Sequence, residues 1–373
     1  MAAGELQEQL GDFKGAQNSY LEALKAAEGP GRTEAMARLA SVVEGSGNAN
    51  TIVSTLGPLA DSAPPELNAR LGLAQLALGQ REEAEQTLQR AMSADAAGGD
   101  ARARAEYGQA EVLLAVLQNY PQVSNLDQLE EFIALIEVVE ESYLNAAQQA
   151  TPAFAAASLA RLAHASNLSA GRLRRLSLPG NELSADEKTQ IQEAMKARAE
   201  NLDNTAKQAL EACANQAWQG RLFTPIVRQC LAGKSFKGGL IPTDRLQPRS
   251  PKQPPQGIDD LRQRLSKNPE DVEGLRELGI RFLDAGDPHV ARLIFARAIQ
   301  AGGGATEHNL LGIASAKAGD LSGAFEAFSQ AASSGLEAGR QNLLKIMSEQ
   351  GLNSAAAEVN KRYPEGEAGG RLL

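Results

Sequence analysis

The sequence predicts an all-α fold: an α-solenoid of paired helices, with a central region of longer ones. Three observations predict it. Glycines and alanines recur 33 or 34 residues apart, as at Gly11, Gly45 and Gly79. Aromatic residues make up 4% of the chain against 43% hydrophobic residues, so Ala and Leu carry most of the apolar content. That composition suits closely packed helices and disfavours strands, which draw on Val, Ile, Tyr and Phe. Finally, long stretches place apolar residues at helical spacing, as at 129, 132, 133, 136, 139, 143 and 144.

The C-terminal part carries the clearest repeats. One copy reads Leu278-Gly279, Gly286-Asp287, Ala291, Phe295, Ala298. The next reads Leu311-Gly312, Gly319-Asp320, Ala324, Phe328, Ala331. A third, nearer the N-terminus, reads Leu71-Gly72, Gly79, Ala84, Leu88, Ala91. This pattern resembles the tetratricopeptide repeat (TPR), a pair of antiparallel helices in about 34 residues. In such a pair the first Gly lets the second helix approach closely. The Gly of the turn takes the left-handed conformation that ends helix one. The small Ala sits where helix axes cross, and the aromatic residue or Leu fills the gap between pairs.

Other segments depart from the motif. Residues 11–24 hold only a second half (Gly11-Asp12-Phe13, Ala16, Tyr20, Ala23), so the chain is expected to begin inside a repeat. Residues 34–58 keep the period but put Asn50 and Gly57 where alanines belong. Residues 340–363 read as a decayed repeat or capping helix. The expected organisation is TPR-like repeats over 1–99 and a long-helix region over 100–232. A Pro-rich basic linker follows at 233–257, then a C-terminal TPR domain at 258–364 and a tail at 365–373. Within 100–232, Thr151-Pro152 reads as a cap with proline in the first turn. Ser184-Ala185-Asp186-Glu187 reads as a capping box opening a helix that runs to about Trp218. The linker holds five of the 16 prolines (Pro242, Pro248, Pro251, Pro254 and Pro255) and carries +4 of charge. Fully extended, it would reach roughly 75 Å at ~3.1 Å per residue.

Net charge is −9, with −10 on residues 1–232 and −3 on 258–373. An acidic body argues against nucleic acid, whose phosphates need a basic face, and against an anionic membrane surface. No window approaches the roughly 20 apolar residues of a membrane span, and Met1 opens no signal peptide.

Candidate chemistry is sparse. Cys213 and Cys230 are the only cysteines. In a helical hairpin turning at 219–224 they fall at matched heights, which favours a disulfide over two buried thiols or a metal site. A bridge would point to an oxidising compartment, most simply a bacterial periplasm, with the cytoplasm as the alternative. His164, His289 and His308 form no catalytic arrangement. Gly233-Lys234-Ser235 lacks the Gly that a phosphate loop needs, since Arg228 holds its place. Two PxxP matches, from Pro248 and Pro251, are expected by chance in so proline-rich a stretch. No cofactor or metal is expected. The carboxylates Glu130, Glu131, Glu137, Glu140 and Glu141 scatter around their helix and lack the Glu-x-x-His of di-iron bundles. They are the only ground for an alternative reading as an all-α enzyme or metal-binding protein. A second alternative is a self-associating structural subunit.

The resemblance implies a non-enzymatic protein that holds other proteins in a groove lined by first helices. Carried over residue by residue, the groove rows give Arg276, Ile280, Leu283 and Asp284, then Asn309, Ile313 and Lys317. In the N-terminal repeat they give Leu73 and Leu76. The lysine and asparagine clamp of chaperone-tail TPR domains is missing: Arg276 and Asn309 stand for its first lysine, Ile280 and Ile313 for its first asparagine. The implied partner is a helix or extended peptide. The chain is similar in style to bacterial envelope TPR proteins, myxobacterial ones among them, that organise secretion, wall-building or gliding motility.

Overall fold

The computed structural model describes residues 1–373 apart from 94–98, 150, 177–182, 220–221, 223, 242–245, 251, 353–355 and 367–368. Of residues 149, 217–219, 356 and 358 it describes the backbone alone. Pro242, Arg245 and Pro251, and the side chains of Ala217, Trp218 and Ala356, therefore lie outside the described residues. The described residues form eighteen α-helices and one 3-10 helix, the all-α architecture that the sequence predicts. The chain divides into two compact units, residues 24–243 and residues 1–23 with 244–373.

The unit of residues 24–243 begins with α3 (Gly29–Glu44) and α4 (Ala49–Leu56), which Asn48 caps by accepting from the Thr51 N–H at 3.1 Å. A 3-10 turn (Gly57–Ser62) leads to the pair α5 (Pro65–Ala77) and α6 (Arg81–Ser93). Longer helices follow: α7 (Gly99–Asn119), α8 (Leu126–Gln149), α9 (Pro152–Arg175) and α10 (Ala185–Gln219), closed by the short α11 (Pro225–Leu231). The repeat logic runs into α7. A Cβ on Gly72 or on Gly108 would come within 2.6 Å of the Leu88 side chain, from one side or the other. Each helix can approach only because the glycine has no side chain.

Of the later helices of this unit, α10 and α11 start at a side-chain cap and α9 does not. Ser184 and Glu187 bond reciprocally, at 2.8 and 3.3 Å, as a capping box should. Thr224 caps α11 ahead of Pro225. Thr151 occupies the N-cap of α9, but its hydroxyl accepts no capping bond; Pro152 alone starts that helix. The stripe on α8 buries Phe132, Ile136, Val139 and Tyr143, while Leu144 remains exposed. On α10, Met195, Leu202, Ala206 and Cys213 are buried.

The other unit contains α1 (Ala2–Gln9) and most of α2 (Phe13–Ala26). It continues with α12 (Asp259–Lys267), then the pairs α13 (Val272–Asp284) with α14 (Pro288–Gln300) and α15 (Ala305–Lys317) with α16 (Leu321–Ser333). It ends with α17 (Glu337–Glu349) and α18 (Ala356–Arg362). Asp271, Asp287 and Asp320 cap α13, α14 and α16, each by accepting from the N–H three residues on. The turn glycines Gly286 and Gly319 take φ of 76° and 86°, the left-handed conformation that ends a first helix. Within each pair the glycine of the first helix faces the ring of the second. A Cβ on Gly279 would lie 2.5 Å from Phe295, and one on Gly312 would lie 2.5 Å from Phe328.

Gly4 stands in the same relation to Tyr20, where a Cβ would come 2.6 Å from the ring. Gly4 and Tyr20 are 16 residues apart, as are Gly279 and Phe295. Helix α1 thus packs on α2 as a first helix packs on its second. The Pro-rich segment is held at both described ends. The Phe236 carbonyl accepts from Arg161 within the first unit. In the second, Gln247 N–H donates to the Ala318 carbonyl at 2.7 Å, and Arg249 forms a bidentate pair with buried Asp287 at 3.1 and 2.6 Å.

Candidate protein-interaction site

The first helices α13, α15 and α17 present one row of residues at the repeat period: Arg276, Asn309 and Asn342 stand 33 apart. Arg276 is half-buried and pairs with Glu307, a buried carboxylate that also accepts from the Gly304 N–H at 2.8 Å. Asn309 and Asn342 are buried at 0% and 1% exposure, and Asn342 Nδ2 donates to Asn309 Oδ1 at 2.9 Å. That contact leaves both Asn309 donors, one Asn342 donor and the Asn342 acceptor for a further partner.

That further partner is the chain's own segment 369–373. Asn309 Nδ2 and Asn342 Nδ2 donate to the Arg371 carbonyl at 2.8 and 3.0 Å, and the Leu373 N–H donates to Asn342 Oδ1 at 2.7 Å. Asp284, exposed at the end of α13, accepts from the Arg371 guanidinium at 2.7 Å. Lys345 Nζ donates to the Leu373 main-chain oxygen at 2.8 Å. Nearby, Glu337 accepts from Arg340, from the Gly366 N–H and from Gln341, and these donors hold its pKa down to about 2.

The expected groove residues therefore divide. Asp284 and Asn309 come together around an extended segment. Ile280 is half-buried and Lys317 exposed, while Leu283 and Ile313 are buried at 5% and 0% exposure and belong to the packing. In the other unit, half-buried Leu73 and Leu76 line a small cavity with Arg70, Tyr107 and Phe154. Sequence reasoning missed Asn342 and Lys345. Leu344-Lys345 breaks the Leu-Gly signature, yet the 33-residue step from Asn309 points to Asn342.

Glu131 and Glu140 of α8 are engaged in ordinary pairs. Glu140 accepts from Arg198 at 3.0 Å and from Ser166 at 3.1 Å, and Glu131 accepts from the Tyr120 hydroxyl at 2.9 Å. Among the described residues no three His, Cys, Asp or Glu side chains are grouped to hold a metal ion. Cys213 and Cys230 are bridged, with sulfurs 2.10 Å apart and Cα atoms 5.9 Å apart.

Paired helices closed by a glycine against a larger side chain, repeated along the chain, decide the kind of unit. Residues 65–97 match the tetratricopeptide-repeat family model. These residues hold α5 and α6, whose Gly72 meets Leu88. No curated protein matches the chain in sequence. Among solved structures, the chain is similar to the crystal structure of the APC/C hetero-tetramer Cut9-Hcn1. Identity is 13% and the TM-score 0.32, over 97% of this chain and 72% of that one. Likeness at that level carries no functional weight. Among the described residues no helix is long and apolar enough to cross a membrane.

Proposed function

We propose that the chain is a non-catalytic interaction scaffold that holds a protein partner, a helix or extended peptide, along the first helices of its C-terminal repeats. The observation that carries this reading is the row Asp284, Asn309, Asn342 and Lys345, whose side chains engage the main chain and one arginine of an extended segment. Helical repeats of this kind commonly serve as binding surfaces rather than catalysts. The setting we propose is a bacterial cell-envelope assembly, serving secretion, wall-building or gliding motility. Its support is the Cys213–Cys230 bridge, since structural disulfides persist in oxidising compartments.

A photo-crosslinking residue in place of Ile280, in the native organism, tests the scaffold reading. Adducts with one or a few proteins are expected, and they should vanish with Lys345→Glu. Absence of adducts at Ile280 and at Lys317 would sink it. The compartment is tested separately, by intact mass after alkylation without reductant. Two alkylated thiols in natively made protein would overturn the envelope setting.

A further inference from the structure

The segment that fills the row is bound as a peptide ligand would be. Asn342 accepts from the N–H of Leu373 and donates to the carbonyl of Arg371, so one buried side chain bridges a main-chain donor and acceptor two residues apart. The Leu372 side chain points away, at 57% exposure. Recognition therefore rests on main chain plus the Arg371–Asp284 pair, and most residues could stand at the Leu372 position. The approach is close. Gly370 takes φ of 86°, and a Cβ there would lie 2.8 Å from the Ala338 Cβ. A Cβ on Gly366 would lie 2.2 Å from the Gly335 carbonyl oxygen. Glycine at these two positions is what lets the segment lie against α17.

We propose that Asp284, Asn309, Asn342 and Lys345 form a site for an extended peptide bearing an arginine, and that residues 369–373 are its resident internal ligand. A partner segment of the same chemistry must displace them, so the chain regulates its own groove. This rests on the scaffold reading but not on the envelope setting. The site's bonds to the segment are all polar, and displacement returns those groups to water rather than stranding them, which makes the exchange feasible.

The test uses the full chain and a fluorescein-labelled peptide of residues 366–373, amidated at its end, read by anisotropy. Gly370→Val should dislodge the resident segment without touching the helices, and Arg371→Glu should weaken it by setting two carboxylates together. An internal competitor lowers apparent affinity by the fraction of open sites. The Gly370→Val chain is thus expected to bind the peptide about tenfold more tightly than wild type, with Arg371→Glu between them. Lys345→Glu added to Gly370→Val should remove most of that gain. Equal affinity in all three chains, or no binding to any, would overturn the proposal. So would wild-type dimers in sedimentation that Arg371→Glu abolishes, because the site would then belong to a second copy's segment. Crosslinking at Ile280 reads a native partner and the anisotropy reads only this chain's peptide, so the two readings fail separately.

Discussion

The repeats of residues 272–333 and the long helices of residues 99–231 solve one packing problem with different residues. In the repeats, glycine gives way to a ring: Gly279 to Phe295 and Gly312 to Phe328. In the long helices that device appears at Gly108, and charge then takes over. Arg161, 4% exposed, donates to both oxygens of Glu111 at 2.5 and 2.7 Å, and Glu111 also accepts from the Tyr143 hydroxyl at 2.6 Å. Arg172 donates to the Leu117 and Tyr120 carbonyls at 2.5 and 2.7 Å while its guanidinium lies 4.7 Å from the centre of the Phe132 ring. Apolar packing recurs with the helix pair and so leaves a period in the sequence. A buried ion pair such as Arg161–Glu111 joins residues 50 apart and leaves none.

The strongest test of this contrast compares two truncations. Phe328→Ala empties the space that Gly312 leaves for the ring and should cost about 3–5 kcal/mol. No second substitution at Gly312 short of refilling the volume should repair it. Arg161→Met should cost about 3–5 kcal/mol as well, for a different reason: it leaves Glu111 partly buried without its cation. The triple change Arg161→Met, Glu111→Leu, Tyr143→Phe should recover most of that loss, because an apolar replacement of the whole network strands nothing. Urea unfolding followed by hydrogen exchange in α9 and α16 reads both. Failure of the triple change to recover would mean that Arg161 acts through packing, and the contrast would collapse.

Next in size is the bridge. Cys213 and Cys230 are 17 residues apart in sequence, and closing such a loop restricts the unfolded chain by about 3 kcal/mol in the chain-entropy model. Cys213→Ala with Cys230→Ala should lower the stability of the long-helix unit by that order. Exchange in α13–α16 should stay unchanged. Equal loss of protection in the repeats would show that the two regions unfold together.

The same contrast explains what the sequence made legible. The pairs at 272–300 and 305–333 stood out because their glycine, alanine and phenylalanine positions recur at 33 residues. The Cys213–Cys230 placement was legible because each cysteine lies close to the short connection between two successive helices. Gly4 escaped notice although it repeats the 16-residue step to Tyr20, since one glycine near a chain start carries no pattern. In the candidate site, Asp284 and Asn309 lay on the expected row. Leu283 and Ile313 lay there too, but first helices pack on their neighbours and sequence cannot tell which edge of the row faces inward. The segment 369–373 has no hydrophobic period, and its glycines read as a tail. Their use, close approach of backbone to helix, exists only once the helices are in place.

The smallest expected effect compares half-buried His164 with buried His289, one in each region. His164 on α9 faces Arg161, Glu111 and Lys237. Burial first, and then Arg161, lower its pKa from the ordinary 6.5. His289 on α14 is 5% exposed and faces Asp287, Arg249 and Arg292. Burial again dominates, and Asp287 only partly offsets it. A Cβ on Gly11 would come 2.9 Å from the His289 ring, so little room is left for water around an imidazolium. The second residue of a helix is also a poor place for positive charge. Both histidines have folded-state pKa values below their unfolded ones, so the unfolded chain binds the proton more readily. Stability from each is full above about pH 6.5 and is lost as pH falls through the folded-state value. Lowering pH from 7.5 to 5.5 should therefore weaken protection in both regions. His289→Asn should flatten the pH dependence of exchange in α14 and leave that of α9 intact, and His164→Asn should do the reverse. Were either substitution to flatten both profiles, the two histidines would be reporting one cooperative unit. A stability that rises on acidification would contradict the sign for both.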